Sequence, residues 1–203
     1  MKIFALIHNY EKTENAESPF GAGNPTWYEM ADSSVLRSGN PFFVPDFDSE
    51  FMAFPSIVYR IGRLGKSIAP RFAGRYLEAW GMAVAVVATN RLKTLKTRGM
   101  PWTPAVSFDR SCLLGNLQPI DTLINNKTFE ISFKESNVIY NPADLRMPVE
   151  ETVALLSADN TLKNGDLVLA GLYPDGINLT PGGTLRVRPQ LDDNTNLLET
   201  NIR

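Results

Sequence analysis

Apolar positions in this chain fall into short runs broken by proline and glycine, and the longest run sets the frame. Residues 51–61, FMAFPSIVYRI, are rich in β-branched and aromatic side chains that suit a pleated surface. Pro41 and Pro45 hold the approach to them extended, so the pattern predicts a buried strand. Residues 63–66 then turn the chain, with Gly65 expected at positive φ. Residues 82–89 are a second continuous apolar run of strand type, buried on both faces or lining a dry cavity. Between the two runs, an early proline and the helical spacing of Phe72, Tyr76, Leu77 and Trp80 predict a helix over 70–80, ended by Gly81. Further strands are expected at 2–7, 127–133, 137–140, 167–172 and 184–187. A basic helix is expected over 91–98, and a short helix over 148–156 with Glu150 and Glu151 complementing the dipole of its first turn. Gly165-Asp166 and Gly182-Gly183 are expected in hairpin turns.

Composition narrows the classes. The chain has 203 residues, which predicts one domain, with residues 1–40 as an N-terminal strand and loop segment packed on a core of 41–203. A formal net charge of -2 gives no electrostatic reason to expect nucleic acid or an anionic membrane. The basic run at 91–98 lacks the interleaved aromatic residues of a nucleic-acid surface and reads as a solvated face. Ile3–Ile7 is too short for the core of a signal peptide and no stretch approaches a membrane span, so a cytoplasmic protein is expected. The single cysteine, Cys112, excludes an internal disulfide and reads as a buried hydrophobe.

Candidate chemistry is sparse. His8 is the only histidine, so any mechanism that needs an imidazole depends on it, although a polar residue at a strand end more often serves a turn. Trp27 and Tyr28 read as core packing. Asp46, Asp48 and Glu50 are an acidic cluster, and Asp48-Ser49-Glu50 would place two carboxylates on one face of a strand. From Ala79 to Phe108, however, there is no Asp, Glu or His, which leaves a hard cation without a second carboxylate strand. The three acids therefore read as a solvated turn, with Asp48 and Glu50 as the one alternative for metal ligands.

Several segments in one order carry a resemblance. Asn9-Tyr10 follows the first strand, residues 32–36 precede PFFVPDF at 41–47, and IGRLGKSI stands at 61–68. GMPWTPAVSFDRSCLLG at 99–115 and TLKNGDLVLAG at 161–171 complete the series. In these the chain resembles the fumarylacetoacetate hydrolase family, specifically its short bacterial members. The resemblance implies an α+β fold, mostly β, with strands rolled around a central pocket, a few short helices, and assembly as a homodimer.

The charged chemistry that the resemblance implies is missing. The family's Glu-x-Glu metal ligands fall on Phe54 and Ser56, and an ungapped count from Gly99 puts its aspartate on Ala85. The lysine after its Pro-Trp pair falls on Val106, a histidine after Asn-Tyr on Thr13, and the hydroxyls of its Thr-Gly-Thr-Pro motif on Ala170 and Leu172, with Tyr173 next in line. Asn9, Tyr10, Arg63 and Lys66 are retained and would be candidates for the pocket rim. The expectation is a catalytically degenerate member with no cofactor, where the family would use magnesium, manganese or calcium, and with a pocket for a small organic acid. The alternative is a metal-dependent hydrolase, isomerase or decarboxylase acting on a β-keto acid or an acylpyruvate-like substrate. A structural partner in a mixed dimer with an intact relative is a third reading.

Overall fold

A computed structural model describes residues 1–11, 18–123, 127–190 and 195–203. Two long strands form its centre: β4 (Phe51–Ile61) and β5 (Leu77–Ala88) pair antiparallel along their whole length, with a register shift only at Arg60/Ile61. On one side of β4 lies β10 (Leu167–Leu169), then β1 (Ile3–Ile7) parallel to it, then β2 (Thr26–Met30). Beyond β5 come β6 (Cys112–Leu114) and β3 (Val35–Arg37). The short β7 (Gln118–Pro119) also joins β5, and β11 (Ile177–Asn178) joins β4. Three strands of the first forty residues, β1, β2 and β3, thus belong to the sheet, with β1 between two partners.

A second, antiparallel sheet has the order β13 (Leu198–Asn201), β12 (Thr184–Pro189), β8 (Phe129–Phe133), β9 (Ser136–Tyr140). Between β3 and β4, Phe42 makes an isolated bridge to Ile202, just past the end of β13. Alternation along β4 decides which side chains meet where. Ala53, Ile57, Tyr59 and Ile61 face the core shared with Phe129, Ile131, Leu185 and Val187 of the second sheet. Phe54 and Val58 face a second apolar cluster with Ala83, Ala85 and Val87 of β5. The result is a mostly β, α+β fold with short helices.

A proline in so central a strand needs explaining, because Pro55 has no amide to give a ladder. Its carbonyl accepts from Tyr173 N, which places this edge of β4 in the gap between β10, paired at Val58 to Arg60, and β11, paired at Met52 and Ala53. Among the described residues no strand occupies that gap, so no ladder bond is lost.

Three expectations change. The helix over 70–80 stops early: α1 is Pro70–Ala73, a 3-10 turn covers Gly74–Tyr76, and Leu77 begins β5. Phe72 remains 38% exposed, while pairing with the full length of β4 claims Leu77 and Trp80 for the sheet. Gly81 therefore ends no helix but lies within β5, opposite Val58. Gly65 is not among the residues at positive φ, where Ser67 stands instead. Its lack of a side chain serves close packing, since a Cβ would overlap the Tyr76 ring. Gly165 and Gly182-Gly183 do take positive φ but close no hairpin, because β10 pairs with β1 and β4, and β12 with β8 and β13.

The remaining helices are α2 (Thr89–Thr97), α3 (Thr103–Val106) and α4 (Val149–Asp159). No helix among the described residues is long and apolar enough to cross a membrane.

Candidate functional site

Phe54 and Ala85 are direct cross-strand partners, and Ser56 follows Phe54 on the same face of β4. Phe54, Ala85 and Val106 join one buried apolar cluster with Phe20, Tyr28, Cys112 and Leu172. The Phe54 ring packs edge-on against Phe20, with centroids 5.7 Å apart, and Phe20 in turn lies against Tyr28 and Trp102. Ser56 is wholly buried with its hydroxyl engaged on both sides: it donates to Ile57 O at 2.9 Å and accepts from Gly171 N at 3.1 Å.

This donor set does not fit a divalent cation. Around the positions of the implied ligands stand a phenyl ring, a methyl group, an isopropyl group and a hydroxyl already bonded at both ends. The Tyr28 hydroxyl is buried there without a partner among the described residues, but burial pushes its pKa far up, so it stays a neutral phenol. Burial likewise pushes the Cys112 thiol up to about 12, which removes it as a thiolate ligand or nucleophile.

Asp48 and Glu50 have another task. Asp48 Oδ2 accepts from Arg91 N at 2.8 Å, its Oδ1 accepts from Ser49 N at 2.7 Å, and the Thr89 hydroxyl donates to the Glu50 carboxylate. The two carboxylates cover the N-terminus of α2, where free amides and the helix dipole favour negative charge. Asp46 is exposed beside them. Among the described residues no three His, Cys, Asp or Glu side chains are grouped to hold a metal.

Next to this apolar cluster lies a cavity of about 490 Å³, lined by Ile7, His8, Phe20, Arg146, Leu172 and Tyr173, among others. His8 takes φ 61, a left-handed conformation uncommon for residues other than glycine. Its Nδ1 lies 3.2 Å from Asn24 O, and its Nε2 is buried with no partner among the described residues. Gly23 permits this fit, since a Cβ there would stand 2.8 Å from His8 Nδ1. Arg146 Nη1 donates to both His8 O and Gly23 O at 3.1 Å, tying the strand end to the loop. It makes no ion pair among the described residues.

Asn9 and Tyr10 serve the frame behind this cavity. Asn9 is fully buried; its Nδ2 donates to Ala170 O at 2.6 Å and Met147 O at 3.1 Å, and its Oδ1 accepts from Met147 N at 2.9 Å. The Tyr10 hydroxyl accepts from Asn141 N at 2.9 Å and donates to Asp144 Oδ2 at 3.1 Å. Tyr173 does reach the cavity, its ring 5.2 Å from that of Tyr10. Arg63 and Lys66 are exposed on the turn beyond Ile61 and are not among the cavity's lining. Thr13 lies outside the described residues. Sequence reasoning missed Arg146, which stands in no motif, and placed His8 only as a strand end.

Comparison with known proteins agrees with this frame. The family model described as fumarylacetoacetate (FAA) hydrolase C-terminal matches residues 2–193. A mitochondrial oxaloacetate decarboxylase of Dictyostelium discoideum is 24% identical over 93% of this chain and 84% of its own length. The oxaloacetate tautomerase YcgM of Escherichia coli (strain K12) is 25% identical over 90% of this chain and 84% of its own. Among solved structures, fumarylpyruvate hydrolase from Pseudomonas aeruginosa, in complex with Mn2+ and pyruvate, has a TM-score of 0.87 at 19% identity, covering 100% of this chain and 89% of that one. At that identity the structural likeness is one of fold.

Proposed function

Because the chain belongs to the fumarylacetoacetate hydrolase family, we propose that it is a member without the family's metal chemistry, which keeps the cavity beside Phe20 as a binding site for a small organic acid. The observation that carries this reading is the meeting of Phe54, Ala85 and Val106 with Phe20 in one closed apolar cluster. The cavity supplies what a carboxylate with an apolar body needs: the Arg146 guanidinium and the carbon walls of Ile7, Phe20 and Leu172. The competing reading is a metal-dependent tautomerase, decarboxylase or hydrolase, the activities for which the relatives are named.

One set of melts separates the two. Short aliphatic and aromatic carboxylates should raise the melting temperature equally in chelator and in manganese, because a ligand that binds only the folded state stabilises it by mass action. Arg146→Gln should abolish the rise. Stabilisation that requires manganese, or a stoichiometric manganese site of micromolar affinity in calorimetry, would refute the metal-free reading.

The assembly we propose is a homodimer, which would cover strand edges such as β2 and β9 that end their sheets. Sedimentation at micromolar concentration should give twice the 22.5 kDa chain mass. A clean monomer would sink that proposal alone.

A further inference from the structure

The net charge of -2 conceals a strong local segregation. Between Gly62 and Leu77 the chain carries Arg63, Lys66, Arg71 and Arg75 and no acid. All four side chains are exposed, and none has an ion-pair partner among the described residues. Two large exposed hydrophobic residues stand among them, Leu64 at 71% and Phe72 at 38%.

Tyr76 gathers these residues onto one part of the surface. Gly62 N donates to Tyr76 O at 2.8 Å and Gly65 closely approaches the Tyr76 ring, so the turn holding Arg63 and Leu64 sits beside the 3-10 turn that follows α1. The Phe72 ring is flanked by the Arg71 and Arg75 guanidinium groups, 4.8 and 5.0 Å from its centroid. The adjoining α4 meets the segment at Ser157, whose carbonyl and hydroxyl accept from Ser67 N and Ile68 N. That end of α4 carries one acid, Asp159, and Glu78 on β5 is already engaged by Arg60 at 3.1 Å.

We propose that this patch seats the protein reversibly on an anionic bilayer surface, with Leu64 and Phe72 entering the headgroup boundary and the four cations lying on lipid phosphates. A leucine so exposed at the tip of a turn is convex, and the cavity beside Phe20 is lined by none of these residues. A projecting apolar tip ringed by cations suits a soft anionic interface, whereas an acidic peptide would need a groove. The proposal is independent of what the cavity binds.

The test is co-sedimentation of the full chain with vesicles of phosphatidylcholine alone and with vesicles containing phosphatidylglycerol. Binding to the anionic vesicles only, falling as salt rises, is expected. Leu64→Ser with Phe72→Ser should weaken it by about tenfold or more, and Arg71→Gln with Arg75→Gln by at least about tenfold, with melting temperatures unchanged. Absence of binding at low salt, binding indifferent to both pairs of substitutions, or preference for polyglutamate over anionic vesicles would overturn the proposal.

Discussion

A chain carrying Phe54→Glu, Ser56→Glu and Ala85→Asp together should melt far below the parent in chelator and recover in manganese, whereas Phe54→Glu alone should only destabilise. Removing the Phe54 ring takes away its packing on Phe20 and leaves space beside Gly176, whose missing Cβ would lie 2.7 Å from that ring. Loss of a buried phenyl group costs about 3–5 kcal/mol. A carboxylate left in its place must stay protonated or lose hydration, adding a few more. The triple variant differs because Phe54 and Ala85 are directly opposed and Ser56 is on the same face, so the new acids can share one cation. Val87, one pleat further along β5 and in the same cluster, offers a second place for the aspartate. Recovery of about 2.7 kcal/mol is expected at a hundredfold excess of manganese over its dissociation constant. If neither arrangement responds to manganese in thermal melts while remaining folded, these positions do not form a lost metal site.

Asn9→Ala should cost about 3–5 kcal/mol, since it leaves Met147 N, Met147 O and Ala170 O without their side-chain partner. For a chain of this size that corresponds to a fall in melting temperature of about 10 °C. Asn9→Asp should be no better, because a carboxylate would face two carbonyls. Tyr10→Phe should cost less, about 1–2 kcal/mol, as its hydroxyl serves one amide and one carboxylate. Urea titration measures all three. A change below about 1 kcal/mol for Asn9→Ala would show that the clamp between β10 and the approach to α4 is dispensable.

The retained Asn9-Tyr10 pair thus has a structural reason to persist, and it marks where sequence reasoning reached and where it stopped. β4 was legible to the residue, because alternating burial on both faces demands an unbroken apolar run bounded by prolines and glycine. The stretch from Phe72 to Trp80 misled because its spacing satisfies a helix as well as a strand, and only pairing with β4 decides between them. Counting brings Phe54, Ser56, Ala85 and Val106 under suspicion, but the packing of Phe20 against Phe54 could not be counted, since the two are far apart along the chain with β2 and β3 between them. Arg63 and Lys66 sit in a motif whose Gly65 packs on Tyr76 and whose Gly62 packs on Glu78, so their neighbours in sequence said nothing about the cavity. Arg146 binds two carbonyls through contacts far from it along the chain, and no local pattern announces such a staple.

The position of β1 also bears on how the chain reaches its fold. Its antiparallel partner β2 emerges soon after it, but its parallel partner β10 is among the last strands to be synthesised, pairing Ile3 with Leu167. Until then a growing chain holds one open edge of wholly buried-type residues, Ile3 to Ile7. Closing that gap requires a long loop to be ordered before any contact rewards it, which slows folding and leaves the edge open to pairing with other chains. The β4–β5 pair, by contrast, joins neighbours in sequence and can form early. The nascent protein therefore has its centre before it has its border, and its period of greatest risk of aggregation ends only when Leu167 to Leu169 dock between β1 and β4.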